Sequence, residues 1–209
     1  GLDRSLLSSY GHDDRVCAYA ELEALFSLDM PEKTAVCILA DKEEIGSVGI
    51  SGMQSHYFEH FMEGLCDAQG VKLSDCFANS FCLSADVSNA FDPNWPETCD
   101  KRNNSQLNYG VAICKYTGSR GKGGASDASA EAMGHVRSTL DKAGVIWQIA
   151  TLGKVDQGGG GTVAAYMANR NIVTVDAGVP VLSMHAPLEL VSKLDCYETM
   201  LACKAIYLA

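Results

Sequence analysis

With 209 residues, 47% hydrophobic and 20% charged, the chain has the profile of one sizeable globular domain with no compositional sign of disorder. A formal net charge of -10 speaks against a nucleic-acid backbone as partner, and no apolar run reaches the ~18 residues a membrane span needs. Nine cysteines, an odd number without CxxC spacing, point to free thiols in a reducing compartment, the cytoplasm, rather than to a disulfide framework.

The opening Gly1-Leu2-Asp3-Arg4 does not have the charged-then-apolar layout of a secretion signal. The chain then enters an α/β pattern almost at once, as a piece of a longer polypeptide would. Residues 14–28 read as a helix, with Ala18, Leu22, Leu25 and Phe26 at helical spacing. Residues 34–40 (TAVCILA) read as a buried strand that runs straight into Asp41-Lys42-Glu43-Glu44-Ile45-Gly46-Ser47, where Gly46 permits a turn. A helix follows over 54–67 and stops before Gly70. A second strand over 81–85 ends in Asp86, and Pro93 and Pro96 make the next stretch irregular. A third strand lies within 106–116 and ends at Lys115. After a Gly/Ser/Lys-rich loop at 119–124, Ala128, Ala132, Val136 and Leu140 mark a helix face closed by Gly144. Residues 146–152 are strand-like. Gly158 to Gly161 are four consecutive glycines, followed by Thr162 and a short helix to Asn169. Apolar runs at 172–175 and 179–184 have strand length. His185 follows, and Pro187 suits the first position of a last helix. That helix has the face Leu190, Leu194, Tyr197, Leu201 and Ala205 and runs to about Tyr207. The alternation predicts an α/β layered domain, without internal repeats.

Four candidate positions lie just past a strand or just before a helix, where sites assemble in open α/β sheets. They are Asp14 (with Asp13), Glu43/Glu44, Asp86 and His185. Each has a plainer reading: a helix cap for Asp13, Asp14 or His185, a turn residue for Asp86, a solvated charged turn for the glutamates. Together they form a set of hard carboxylates with one imidazole, which suits zinc, manganese or cobalt better than a thiolate site does. In such a site one carboxylate holds the cation while another stays free to accept a proton from water.

Four motifs occur in order: Asp13-Asp14-Arg15-Val16-Cys17-Ala18-Tyr19; Asp41 to Ser47; Ser84-Ala85-Asp86 with Asp92-Pro93-Asn94; and Met184-His185-Ala186-Pro187-Leu188-Glu189. This ordered set resembles the aspartyl aminopeptidase family of co-catalytic zinc exopeptidases. The resemblance implies a phosphorylase/hydrolase-like fold, a three-layer α/β/α sandwich around a mixed sheet, and removal of single amino-terminal residues from peptides. It implies two divalent ions, zinc or else cobalt or manganese. Asp14 would bridge them, Glu44 and His185 would hold one and Asp86 the other. Glu43 would be the general base acting on the water activated between the two ions. The family also holds the peptide after its bridging aspartate in cis, which would be Asp14-Arg15. Lys115 resembles a lysine near the substrate side-chain pocket, and Gly161 and Thr162 resemble a Gly/Thr loop that approaches substrate; a solvated lysine and a flexible linker are the alternatives. Relatives form dimers that build larger shells, so the resemblance implies a homo-oligomer with peptide substrates.

Two departures qualify it. The family's first histidine ligand and its inserted dimerisation domain precede the bridging aspartate. Neither is in residues 1–209, which would then be the C-terminal portion of a catalytic domain. His12 is a substitute candidate. The segment 87–95 also departs from aspartate-preferring members, leaving the preferred amino-terminal residue open. A non-catalytic fragment or assembly subunit is therefore the alternative to an active aminopeptidase. His56-Tyr57-Phe58-Glu59-His60 matches the inverted zinc-protease pattern H-x-x-E-H, a third reading that predicts endopeptidase activity. His135, between apolar neighbours, reads as structural.

Overall fold

The computed structural model describes residues 1–120 and 122–209; Gly121, in the predicted loop at 119–124, lies outside the described residues. Strands and helices alternate as β1 (Leu6–Ser9), α1 (His12–Phe26), α2 (Tyr57–Gln69), α3 (Leu73–Ala78), β2 (Phe81–Ala85), β3 (Ser88–Asn89), β4 (Val111–Cys114), α4 (Ala130–Ala143), β5 (Trp147–Ala150), α5 (Ala164–Ala168), β6 (Val173–Gly178), β7 (Pro180–Leu182), β8 (Glu189–Ser192) and α6 (Lys193–Tyr207). None of these helices is long and apolar enough to cross a membrane.

The strands form two four-stranded mixed sheets, ordered β2-β6-β4-β5 and β1-β8-β7-β3. In the first, β2/β6 and β4/β5 are parallel and β4/β6 antiparallel. All four residues of β4 are buried, as expected of a strand covered on both faces. Val111, Ile113, Val175 and Ala177 face α4 and α6, meeting Ala132, Val136, Leu140 and Ala202. On the opposite side Cys82 joins a second core with Phe58 and Met62 of α2, Phe77 of α3 and Met167 of α5. Helices therefore flank this sheet on both faces, in the α/β/α order expected.

The two sheets meet where the chain passes from β2 to β3 alongside β6 to β7. Pairing continues across the junction: the amides of Asp86, Ser88 and Ala90 donate to the carbonyls of Ala177, Val179 and Val181 at 3.0, 2.9 and 2.8 Å. Gly178 makes the close approach possible. A Cβ at that position would stand 1.8 Å from the Asp86 carbonyl oxygen.

Several predicted elements are placed differently. Residues 34–40 form no strand among the described residues, because no neighbouring strand supplies a ladder; Val36, Ile38 and Ala40 nonetheless pack on the second core. The last helix begins at Lys193, since Glu189–Ser192 is claimed by β8. Its buried stripe is Asp195, Glu198, Thr199, Ala202 and Cys203, while Tyr197 is exposed. The buried acids are accommodated because backbone amides meet them: Asp195 accepts from Asn108 and Gly110 at 2.7 Å each, and Glu198 from Ile146 at 2.8 Å. On α1 the small residues Cys17, Ala20 and Ala24 are buried and Phe26 is exposed. All nine cysteines are free.

Candidate metal centre

Three loops and one helix start bring carboxylates and one imidazole to the rim where the sheets meet. At the head of α1, Asp13 (φ -79°, ψ 108°) and Asp14 (φ -118°, ψ 36°) are not helical, and no side chain caps the helix. Glu43 and Glu44 stand on a 3-10 turn, Glu43–Ile45, entered through Lys42 (φ 68°) and left through Gly46 (φ 84°). The Gly46 carbonyl is held from two sides, by the Gln54 amide at 2.7 Å and the Tyr166 hydroxyl at 3.1 Å. Asp86 sits at the junction of β2 and β3. His185 projects from the turn between β7 and β8 with a left-handed backbone (φ 65°).

Five of these residues converge in two groups whose ligand atoms lie within 4.8 Å of one another: Asp13, Glu44 and His185, and Asp13, Asp14 and Asp86; Glu43 is in neither group. The Nε2 of His185 is 2.8 Å from Asp13 Oδ2 and 3.2 Å from Glu44 Oε1. Asp13 is the side chain common to both groups. The sequence reading placed the shared carboxylate on Asp14; the structure puts Asp13 there and leaves Asp14 in the second group. The expected cis peptide likewise lies one bond earlier, at Asp13-Asp14 rather than Asp14-Arg15.

The electrostatics are those of acids crowded together out of water. Burial raises Asp13 to about 6, helped by the charges of Glu44 and Glu189 and opposed by His185. Asp14 is pushed well above the carboxylate range by burial, then by Glu21 and Asp13, and its Oδ1 has no hydrogen-bond partner. Asp86 is raised by burial and by the charges of Asp14, Glu43, Asp13 and Asp176. Glu43 is raised by burial, Glu44 and Asp13. Among the described residues no ion pair joins a lysine or arginine to any of these five acids. Hard oxygen donors, one imidazole and uncompensated negative charge fit a divalent cation of the zinc, cobalt or manganese kind.

The other candidates lie outside both groups. Lys115 is ion-paired with Asp127, which Lys122 also engages. Thr162 is buried and donates to Asp176 Oδ1 at 2.6 Å, so its hydroxyl points into the protein. Gly161 packs closely, with a Cβ there 3.1 Å from the Gly124 carbonyl oxygen. His12 Nε2 is buried without a hydrogen-bond partner. The H-x-x-E-H pattern does not assemble: His56 precedes α2 and pairs with Glu59, which also takes Arg170 Nε at 2.7 Å. Sequence reasoning assigned no role to Glu189, a buried carboxylate that accepts from the amides of Asp13 and His185. Its signal was present, as the last residue of the His185 motif.

Rim carboxylates and an imidazole on an α/β/α scaffold form a donor set suited to a divalent cation. The profile of the aminopeptidase I zinc metalloprotease (M18) family matches residues 1–207, and the chain belongs to that family. It is 50% identical over 203 residues to a probable M18 family aminopeptidase 1 of Clostridium acetobutylicum, covering 95% of this chain and 44% of that protein. A homologue from Borrelia garinii subsp. bavariensis, also named a probable M18 family aminopeptidase 1, is 46% identical over 214 residues, 99% of this chain and 47% of the relative. Among solved structures, the Thermotoga maritima M18 aminopeptidase superposes with a TM-score of 0.95 at 45% identity, covering 99% of this chain and 47% of that one. The Clostridium acetobutylicum aminopeptidase I gives 0.95 at 46%, covering 100% and 45%. The chain thus spans about half the length of the relatives it matches.

Proposed function

We propose that this chain carries the metal-binding and proton-transfer groups of a zinc-dependent aminopeptidase that hydrolyses the amino-terminal peptide bond. The observation that carries this reading is the sharing of Asp13 between two ligand groups, the arrangement a pair of cations requires. Asp13 would bridge, taking the role the motif reading gave to Asp14. Glu44 and His185 would complete one position, and Asp86 with Asp14 the other. Bound divalent cations supply Lewis acidity toward the scissile carbonyl.

The chain's own groups do the rest. Glu43 feels the charges of Glu44 and Asp13 and acts in turn on Asp86, which supports a role for it near both groups. Its pKa is raised toward the range in which a carboxylate takes a proton from water and passes it to a leaving amine. Glu43→Gln keeps the shape and removes the base. Hydrolysis of aminoacyl p-nitroanilides should fall by about 10²–10⁴-fold with zinc content unchanged. Undiminished hydrolysis would remove Glu43 from the mechanism.

A second reading, a non-catalytic portion or assembly subunit, is favoured by one observation. The Asp13/Asp14/Asp86 group contains no imidazole, whereas the other has His185. It predicts one tightly held zinc and one weak, and no chelator-sensitive hydrolysis by this chain.

A further inference from the structure

Glu189 is 2% exposed and has no lysine or arginine partner among the described residues. Its two oxygens are divided between two segments far apart in sequence. Oε2 accepts from the amide of Asp13 at 3.0 Å, and Oε1 accepts from the amide of His185 at 2.8 Å. Both donors belong to residues whose side chains meet at 2.8 Å in the cluster. Both also have irregular backbones: Asp13 is not helical although it lies in the first turn of α1, and His185 is left-handed. A non-glycine residue holds a positive φ only where its surroundings over-determine it. A charge-assisted bond to the His185 amide is one such restraint.

The strands explain how one carboxylate reaches both segments. Glu189 opens β8 and pairs with Ser9 of β1, four residues before Asp13, while His185 lies four residues before Glu189. The β1/β8 pair therefore brings the two ligand-bearing segments together from opposite directions, and Glu189 is the side chain at their meeting point.

Building on the metal-centre reading above, we propose that Glu189 is a positioning residue that sets the separation and orientation of Asp13 and His185 through their backbone amides. It contributes no ligand atom of its own. A neutral amide in its place would turn one donor toward another donor, so at most one of the two bonds survives. Groups that orient metal ligands typically change affinity by about 10–100-fold when altered.

The test uses the chain with Glu189→Gln, Glu189→Asp and His185→Ala, folding being checked by far-UV circular dichroism. Zinc affinity is measured by competition with a chromophoric chelator, and ligand geometry by the visible spectrum of bound cobalt(II). Glu189→Gln should weaken zinc binding by about 10–100-fold and alter the cobalt bands while His185 is still present. Glu189→Asp, charged but one methylene shorter, should not restore them. Wild-type affinity and spectrum in either folded Glu189 variant would overturn the proposal. If neither folds, amide exchange in the unaltered chain decides: slow exchange at Asp13 and His185 supports the clamp, and fast exchange overturns it. Should His185→Ala leave cobalt binding untouched, the metal-centre reading itself fails, a result distinguishable from failure at Glu189 alone.

Discussion

Two sets of carboxylates are withdrawn from water in this molecule, and they are treated in opposite ways. At the foot of α6, Asp195 and Glu198 are met by backbone amides of Asn108, Gly110 and Ile146 at 2.7–2.8 Å. At the rim, Asp13, Asp14, Asp86 and Glu43 mainly meet one another, and Asp14 Oδ1 meets nothing. A buried charge is tolerated when it is hydrogen-bonded. The first set satisfies that rule within the chain; in the second, Asp14 Oδ1 is left without a partner. Complete internal partnership marks a structural acid; mutual repulsion marks a site.

The sharpest break of this contrast is expected at α6. Asp195→Ala would strand two amides that now donate to a fully buried carboxylate, costing about 3 kcal/mol or more, since bonds to charged groups contribute ~1.5–3 kcal/mol each. A lower urea midpoint with unchanged zinc stoichiometry should follow. A midpoint at the wild-type value would place Asp195 outside the folding energetics.

The next largest effect is on pH dependence without metal. Asp13 and Asp176 are raised from 3.8 to about 6, and Glu21 from 4.5 to about 8, in each case by burial first. The folded state then binds more protons than the unfolded one between pH ~4 and ~8. Stability should be full below pH ~4, apart from other groups, and decline as pH rises through 6 and on to 8. Melting temperatures in chelator should fall over that window. Glu21→Gln should flatten the upper half, and an unaltered slope would mean that Glu21 is ionised at no cost.

Smaller and opposite in sign to Asp195→Ala is Asp86→Asn, which relieves repulsion at the rim. The metal-free chain should gain about 1 kcal/mol, in keeping with the trade of stability for function at such sites, while losing zinc from the second group. Thermal unfolding with and without zinc reads both; a metal-free chain that loses stability would show that Asp86 is internally satisfied. Smallest of all, His56→Ala should leave zinc content and peptide hydrolysis unchanged, because that exposed ring pairs with Glu59 and stacks on His60 at the surface.

Much of this was legible in the residues. Of the predicted helix face, Ala132, Val136 and Leu140 are buried in α4 and Ala128 is buried just ahead of it, because periodicity reports burial when apolar side chains do the packing. It failed on α6, where Asp195 and Glu198 fill core positions that a hydrophobic pattern assigns to solvent. Residues 34–40 carry a strand's composition, yet a strand also needs a neighbour, which composition does not encode. At the site, the sequence singled out Glu44, Asp86 and His185, which share the two ligand groups, whereas the family resemblance gave the shared position to Asp14 and the carboxylate common to both groups is Asp13. Adjacent side chains in irregular backbone diverge by an angle that only coordinates supply. Glu189 was passed over because its role is spoken through amides, and amides are the same in every residue.

The approach of Gly178 to Asp86 has a consequence for how this sequence tolerates change. The smallest side chain at 178 would have to displace the backbone that bears Asp86, since its Cβ would lie 1.8 Å from that residue's carbonyl oxygen. A saturation library at that codon, selected only for soluble expression, should return glycine almost alone. Position 178 is thus guarded by hard-sphere crowding against main chain, whatever side chain residue 86 carries.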